Sequence, residues 1–298
     1  ISPASGSVQN FTTPVRYTVT SEDKAWHRVY AITAREQKAS NIPTTYHFEK
    51  VRIMQNVWQE FYEEQDSGNE LTWASGNKGF KWAMSEAATE DYPTTQIDNG
   101  KTGKCVKLET RLTGDLGNMV GMPIAAGNLF IGSFDMLNAI TNPLSATRFG
   151  TPFYNKPLRL TGYYKYKAGE QFYENGEYTS RKDIFNIYAI FYDGVKYDSA
   201  GKGTDVTLDG NLPNQNYEHS SMVALALVSN PQETEGDEWK FFDIPFDYQR
   251  YGKKIDEARL AKGEYKIGII FASSKDGATF EGAPGSTLLI DEVELIYE

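Results

Sequence analysis

The sequence is poor in cysteine and histidine, and it has no long apolar run. Its single cysteine, Cys105, cannot form a disulfide within the chain. Cys105 lies in an alternating apolar and polar segment, and none of the three histidines stands in a recognisable cysteine-protease context. A half-buried structural thiol is therefore favoured over a nucleophile. No segment approaches the roughly 20 apolar residues of a membrane-spanning helix, so no transmembrane segment is predicted.

Basic clusters are also missing. The formal net charge is −10 and no run of lysine or arginine stands out, which disfavours nucleic acid and anionic membranes as partners. No Gly-x-Ser-x-Gly elbow, His-Glu-x-x-His helix or phosphate-binding loop occurs. A glycoside hydrolase needs two carboxylates that face one cleft, and among 40 acidic residues the sequence marks no such pair. No catalytic residue is therefore predicted.

Aromatic residues are abundant, at 13% of the chain, and the frequent tyrosine, phenylalanine, valine, isoleucine and threonine favour strands. Strand-like runs recur between clusters of glycine, proline, asparagine and aspartate, for example at residues 79–84, 157–167 and 184–192. One short helix is predicted at residues 53–63, where apolar residues fall at helical spacing. This pattern predicts an all-β chain in which two antiparallel sheets pack together.

The beginning of the chain is predicted to be a separate unit. Residues 14–20 and 26–33 alternate on either side of a polar turn, which is typical of a hairpin. A two-stranded hairpin is only marginally stable alone, so we interpret residues 1–43 as the C-terminal part of an immunoglobulin-like β domain. The native polypeptide is accordingly expected to extend N-terminally of Ile1. Residues 44–298 form the second predicted domain.

The opening and closing strands of the second domain resemble the two ends of a jelly-roll carbohydrate-binding module. Residues 46–51 contain a Phe-Glu strand, and residues 286–296 carry an acidic pair within an apolar alternation. The first and last strands of a jelly roll lie side by side, so Glu49 and Asp291 are expected to hold a structural calcium ion, the only cofactor predicted. The alternative is a solvent-facing or salt-bridged pair of carboxylates.

Candidate sugar-binding residues combine flat aromatic faces, which stack on pyranose rings, with planar polar groups that bind hydroxyls. Trp73 is the first candidate for a stacking platform and Trp82 is the second, although both are also typical core residues. Strand alternation places Asn186 and Tyr188 on one face, and Tyr163 on the polar face of another strand. These three are expected to line one groove if their strands share a sheet. Ordinary solvated sheet residues are the alternative.

The segment from Thr113 to Pro157 is longer than a β-sandwich requires, and it is rich in glycine, proline and small apolar residues. Because such a segment is not strongly solvated, it must pack against another part of the protein. It either walls a ligand groove or covers one sheet.

Several separate motifs occur in an order that resembles a known family. They lie at residues 98–110, 128–132, 142–150, 160–166 and 273–286. The second domain thereby resembles the "putative carbohydrate metabolism domain" of Bacteroidetes surface proteins. The resemblance implies a jelly-roll sandwich that is tethered outside the inner membrane, often as a lipoprotein, and is associated with glycan capture or breakdown. Family members have been labelled glycoside hydrolases, yet the resemblance supplies no catalytic residues.

The predicted function is non-catalytic binding of an oligo- or polysaccharide outside the cytoplasm. The protein is expected at the cell surface or in the periplasm, held by a lipid anchor that is attached upstream of this chain. Two alternatives stay open. One is a glycoside hydrolase with its carboxylate pair in a loop-lined cleft, and the other is a structural or adhesin-like surface module. Exposed aromatic side chains favour binding, whereas two close carboxylates in a deep cleft favour hydrolysis.

Overall fold

The computed structural model describes residues 1–33, 39–65 and 67–298. The chain divides into two compact units, Ile1–Ala39 and Ser40–Glu298. Strands and helices are numbered in chain order through both units. No helix within the described residues is both long enough and apolar enough to cross a membrane.

The N-terminal unit is built on one antiparallel hairpin. Strand β1 (Val15–Thr20) pairs with strand β2 (His27–Ile32). A bridge between Ser2 and Thr18 lays the first residues of the chain against β1. The predicted hairpin is confirmed. The immunoglobulin-like assignment is not confirmed, because the described residues of this unit form a single two-stranded sheet.

The larger sheet of the C-terminal unit is antiparallel and has six strands: β3 (Thr45–Tyr46), β7 (Thr94–Asp98), β8 (Lys104–Glu109), β15 (Pro157–Lys167), β23 (Lys240–Pro245) and β25 (Thr287–Tyr297). Their order is β23-β15-β25-β8-β7, and β3 pairs with β25. The opening and closing strands therefore do meet. Their contact is limited to two residue pairs, Tyr46 opposite Val293 and Thr45 opposite Glu294.

The second large sheet has five strands: β11 (Asn128–Phe130), β14 (Thr151–Pro152), β18 (Asn186–Asp193), β22 (Met222–Leu227) and β24 (Tyr265–Ala272). Their order is β11-β24-β18-β22, and β14 pairs with β24. Strand β18 lies between β24 and β22, and it pairs with β24 along its whole length. Its central position explains why nearly all of its side chains are buried.

The main hydrophobic core lies between the two large sheets. Strand β18 contributes Ile187, Ala189 and Phe191 from one of its faces, and β25 contributes Leu288 and Ile290 from the opposite sheet. Since successive side chains of a strand point to opposite faces, every second residue of these strands enters the core. Burial of this apolar area is the dominant favourable term in the folding of the unit.

Small sheets and short helices connect the large sheets. The remaining strands are β4 (Val51–Met54), β5 (Trp58–Glu64), β6 (Glu70–Thr72), β9 (Arg111–Leu112), β10 (Ile124–Ala125), β12 (Gly132–Phe134), β13 (Thr147–Phe149), β16 (Phe172–Glu174), β17 (Glu177–Thr179), β19 (Val195–Tyr197), β20 (Gly203–Asp205) and β21 (Leu208–Asp209). The α-helices are α1 (Asn77–Ala83), α2 (Gly114–Met119), α3 (Met136–Thr141) and α4 (Glu257–Leu260). Short 3₁₀ helices span Thr89–Asp91, Pro143–Ser145, Pro213–Gln215 and Gly277–Thr279.

Two local predictions are wrong. The segment at residues 79–84, predicted as a strand, forms most of helix α1. The segment at residues 53–63, predicted as a helix, belongs to the antiparallel strands β4 and β5. Gln55 and Asn56 between them both have positive φ, and they turn the chain back on itself.

The jelly-roll prediction is also wrong. A jelly roll distributes eight strands over two sheets in two Greek keys. The described residues instead form an all-β arrangement of eight separate sheets, and six of these have only two or three strands. The segments between the long strands are responsible, because they build small sheets of their own instead of joining the two large ones.

The outer face of the five-stranded sheet is covered by a second hydrophobic cluster. Tyr188 and Ile190 of β18 and Ile270 of β24 form its base, and Phe130 and Phe149 pack on them. The insertion predicted at residues 113–157 contributes Phe134 and Phe149 to this cover, and the segment 206–217 contributes Leu208, Leu212 and Tyr217. Covering one sheet was one of the two roles considered for this insertion, and the insertion also forms part of the wall of a cavity on that face.

Candidate functional site

A cavity of about 170 Å³ opens on the outer face of the five-stranded sheet. Its base is formed by Asn186 and Tyr188 of β18 together with Ile270 and Ala272 of β24. The walls come from four chain segments: helix α1, the insertion between β9 and β14, the segment after β21 that contains Gly210 and Pro213, and the loop between β24 and β25. Wall residues include Phe80, Met122, Phe130, Phe134, Met136, Phe149, Ser274, Lys275 and Phe280.

Three large apolar side chains line the cavity and are also exposed to solvent: Trp82, Val120 and Ile140. We call these residues the rim. Each comes from, or directly follows, a different short helix, namely α1, α2 and α3. Trp82 is 38% exposed, so part of its indole face is free at the point where the cavity meets solvent. A half-exposed tryptophan at the mouth of an apolar cavity is a suitable surface for stacking against a ligand ring.

Helix α1, which carries Trp82, is held by a buried amide. The side chain of Asn77 accepts a hydrogen bond from Thr94 N at 3.1 Å and donates to Thr94 O at 2.7 Å. The backbone N–H of Gly76 donates to Asn128 Oδ1 at 2.8 Å. These bonds connect the start of α1 to β7 and β11, so the position of Trp82 is fixed relative to the sheets.

Two polar side chains lie at the base of the cavity. Asn186 Nδ2 donates to Tyr217 Oη at 2.9 Å, whereas Asn186 Oδ1 has no hydrogen-bond donor among the described residues. The Tyr188 ring packs edge-on against Tyr217 and Phe149. Tyr188 is only 2% exposed, yet its hydroxyl has no hydrogen-bond partner within the described part of the chain. Burial raises the pKa of Tyr188, so the hydroxyl is neutral.

The lining of the cavity is almost free of charge. Of the described residues that line it, none is an aspartate or a glutamate, and Lys275 is the only one with a charged side chain. The cavity therefore has no carboxylate to act as acid, base or nucleophile.

The five sugar-binding candidates do not lie together. Trp82, Asn186 and Tyr188 line the cavity, but the predicted common groove with Tyr163 is absent. Tyr163 belongs to β15 of the other large sheet, where it lies 5.2 Å from the ring of Phe241 and 4.8 Å from the Lys101 ammonium group. The two strands have suitable polar faces, but they belong to different sheets.

Trp73 is not a stacking platform in this structure. It is 1% exposed and packs in the main core, with its ring centroid 5.0 Å from that of Tyr46, 5.6 Å from Phe48 and 5.9 Å from Phe271. The alternative considered for this residue, a core position, is the observed one. A ring enclosed by other aromatic rings has no free face for a sugar.

Comparison with known proteins identifies the family. Residues 47–296 match the family model described as "Putative carbohydrate metabolism domain". The chain belongs to this family. Residues 1–34 match a second model, described as "SGBP, N-terminal". A search of curated proteins finds no match.

Solved structures resemble this carbohydrate metabolism domain closely. A protein from Bacteroides vulgatus ATCC 8482, described as a "putative glycoside hydrolase", is 50% identical, covers 87% of this chain and 100% of its own, and has a TM-score of 0.80. A protein of the same description from Bacteroides thetaiotaomicron VPI-5482 is 45% identical, covers 100% of this chain and 82% of its own, and has a TM-score of 0.77. The carbohydrate-binding module TmCBM61, at 12% identity and a TM-score of 0.26, is not a close structural match.

The predicted calcium ligands of the carbohydrate metabolism domain lie at one turn. Glu49 Oε1 accepts from Lys104 N at 2.7 Å, and Asp291 Oδ2 accepts from Thr102 N at 3.0 Å. The Lys104 carbonyl and Asp291 Oδ2 lie 2.5 and 2.7 Å from the position that a Cβ on Gly100 would take. These oxygens are hard donors, whereas calcium takes about six to eight of them. The described residues contain no cluster of three or more His, Cys, Asp or Glu that could hold a metal.

Asp291 is buried completely, and burial raises its pKa to about 6 despite its hydrogen bonds to backbone N–H groups. Cys105 is close to it and is also buried. Burial and the Asp291 charge raise the pKa of the Cys105 thiol to about 12. The thiol is accordingly inert, and it is a fully buried core residue where the sequence predicted a half-buried one.

Most of the cavity walls were missed by the sequence analysis. Phe130, Phe134, Phe149, Met122 and Met136 all come from the insertion, which was singled out only as a whole. The mixture of apolar residues and glycines in this insertion was the sequence feature that could have indicated a cavity wall. The carbohydrate metabolism domain therefore builds its cavity from residues that individually look like ordinary core residues.

Proposed function

We propose that this chain binds a carbohydrate, without hydrolysing it, in the cavity on the outer face of the five-stranded sheet. The observation that carries the proposal is the combination of a partly exposed Trp82 at the rim with a lining that has no carboxylate. A sugar ring presents an apolar C–H face to tryptophan, while polar groups at the base select its substituents. Membership of a carbohydrate-related family supports this choice of ligand.

Hydrolysis is the alternative that the descriptions of the two similar Bacteroides proteins raise. It requires a pair of carboxylates about 5 to 10 Å apart on either side of the scissile bond. A separate open cleft beside helix α1 is lined by the carboxylates Glu86, Asp91 and Glu109. The Arg111 guanidinium is 3.0 Å from Glu109 and 3.9 Å from Asp91, and Lys107 also pairs with Glu109. Glu109 and Asp91 thus serve in ion pairs, which leaves Glu86 as the one carboxylate described in this cleft without an ion pair and favours binding over hydrolysis.

A glycan-binding screen with parallel measurement of reducing-sugar release tests the proposal. We expect binding without release. In the Trp82→Ala variant, affinity for the bound glycan is expected to fall at least about tenfold, because the stacking surface is lost. The matched control is Trp26→Ala, since Trp26 is 79% exposed in the N-terminal unit and does not line the cavity. Release of reducing sugar, or equal affinities in the two variants, would contradict the proposal.

We also propose an extracytoplasmic location, with a lipid anchor attached upstream. The match of residues 1–34 to the "SGBP, N-terminal" model and the similarity to the two Bacteroides proteins support the location. The anchor is a prediction from the sequence resemblance. Digestion of intact cells with an external protease tests the location, and incorporation of a labelled fatty acid tests the anchor. A protein that is protected until the cells are lysed would argue against a surface location.

A further inference from the structure

The cavity has a specific polar complement at its base. Asn186 Oδ1 is a hydrogen-bond acceptor, and the Tyr188 hydroxyl is a donor. Neither group has a partner among the described residues, although both side chains are more than nine-tenths buried. Both residues line the cavity, so a ligand that supplies one donor and one acceptor would give each group a partner there.

Three other polar side chains of the lining, Asn128, Ser274 and Thr113, are already occupied, whereas Thr147 and Lys275 make no side-chain hydrogen bond among the described residues. Asn128 accepts from Gly76 N and donates to Ala126 O. Ser274 bonds to Asp183 and Thr110. The Thr113 hydroxyl donates to Met122 O. The lining therefore offers few free partners to a sugar ring with a hydroxyl on every carbon, and each hydroxyl left without one loses its water at a cost.

The walls around the base are apolar. Phe149 packs against Tyr188, and Phe130 packs against Phe149 with ring centroids 5.4 Å apart. Such walls stabilise a methyl group and offer nothing to a hydroxyl. The volume of about 170 Å³ is smaller than the roughly 300 Å³ at the lower end of ordinary ligand pockets, so it suits one sugar residue or its substituent.

An acetamido group matches all three features. Its N–H is a donor for Asn186 Oδ1, its carbonyl is an acceptor for the Tyr188 hydroxyl, and its methyl group is apolar. We propose that the cavity selects glycans that carry an N-acetylhexosamine, with the acetamido group at the base and the sugar ring toward Trp82. This inference rests on the proposed function, because it names the ligand class of the same cavity.

Calorimetric titration with a matched ligand pair tests the inference. Chitotriose and cellotriose have the same β-1,4-linked backbone and differ in the acetamido group at C2. We expect chitotriose to bind at least about tenfold more tightly, because only it satisfies Asn186 and Tyr188. In Tyr188→Phe, which removes one oxygen atom, this preference should fall by about fivefold to tenfold while cellotriose affinity stays unchanged.

The variants also separate ligand recognition from folding. Because the Tyr188 hydroxyl has no partner in the described protein, Tyr188→Phe should melt at the same temperature as the wild type or higher. Tyr163→Phe is the control on the other large sheet, and it should leave both affinities unchanged.

The outcomes distinguish this inference from the proposed function. Equal binding of both trisaccharides, weakened in Trp82→Ala, would overturn the acetamido inference and keep the carbohydrate site. A chitotriose preference that survives in Tyr188→Phe would also overturn it. If neither trisaccharide nor any glycan of the screen binds, or if binding is insensitive to Trp82→Ala, the proposed function itself fails.

Discussion

Buried carboxylates are the single residues that most affect how this protein responds to pH. Asp291, Asp183 and Glu63 are all buried, and burial raises the pKa of each. Each is surrounded by N–H or O–H donors, but no cation forms an ion pair with any of them among the described residues. For example, Asp183 accepts hydrogen bonds from the hydroxyls of Ser274 and Ser286. Their ionisation therefore costs more in the folded state than in the unfolded chain.

This predicts that the metal-free protein loses stability as the pH rises from about 4 to about 6. The pKa of Asp291 rises from its ordinary value of 3.8 to about 6. In that window the folded state keeps a proton that the unfolded chain has released, so the free energy of unfolding falls with pH and levels off above 6. The contribution of Asp291 is at most about 3 kcal/mol. Urea denaturation in EDTA at stepped pH measures it, and an equally steep decline in Asp291→Asn would show that other groups are responsible.

Calcium is expected to act on the same carboxylate. A cation between Asp291, Glu49 and the Lys104 carbonyl would offset the cost of the buried charge, so removal of calcium by EDTA at pH 7 should lower the melting temperature by roughly 5 °C. Glu49→Gln should reduce the difference between the two conditions. Identical melting curves with calcium and with EDTA would dismiss the predicted calcium site.

Among the elements, helix α1 connects the fold to the site. Asn77 at its start is buried and bonds to both backbone groups of Thr94. Asn77→Ala leaves those two groups without partners, and we expect a loss of about 2 to 4 kcal/mol in the free energy of unfolding. Because α1 carries Trp82, glycan affinity should fall as well. Urea denaturation and titration with the bound glycan check both effects, and an affinity loss without a stability loss would contradict this account.

Strand β18 shows which elements the sequence predicts well. Its alternation separated Ile187 and Phe191 from Tyr188 and Ile190, and the structure places the first pair in the main core and the second pair in the outer cluster. The two-residue period is a local property of the strand. Asn186 and Tyr188, two of the three predicted site residues that line the cavity, could be predicted because they follow this local alternation.

Short elements were beyond what periodicity can decide. Helix α1 has seven residues, a length at which apolar spacing does not distinguish a helix from a strand. The segment at β4 and β5 has apolar residues at helical spacing, but Gln55 and Asn56 adopt positive φ, and Val57 N donates to Met54 O to close a turn. Positive φ at both central residues is the arrangement of a type I′ hairpin turn. Asn56 was the sequence feature that could have indicated this turn, because asparagine tolerates positive φ.

For the molecule as a whole, the two units are expected to be separable in function. Every residue that lines the cavity lies between Gly76 and Phe280, within the C-terminal unit. The main hydrophobic core also lies within that unit. We therefore expect residues 40–298 alone to melt within about 3 °C of the full chain and to bind the glycan within about twofold. A large loss of affinity on this deletion would show that the N-terminal unit contributes to the site.

The overall arrangement of sheets could not be derived from the sequence, because the pairing of distant strands leaves no local pattern. The opening and closing strands do meet, as predicted, but only across two residue pairs. Tyr163 and Tyr188 have similar sequence contexts and lie on different sheets. The cavity arises where an insertion folds over one sheet, so its walls depend on tertiary packing more than on any motif.

The deep burial of Cys105 makes this protein well suited to site-specific labelling. With no accessible native thiol among the described residues, a maleimide dye should react only with a cysteine introduced at the surface. Met119 ends helix α2 next to the rim residue Val120, and it is 82% exposed. A fluorophore attached through Met119→Cys would report occupancy of the cavity directly in a mixture of unlabelled glycans.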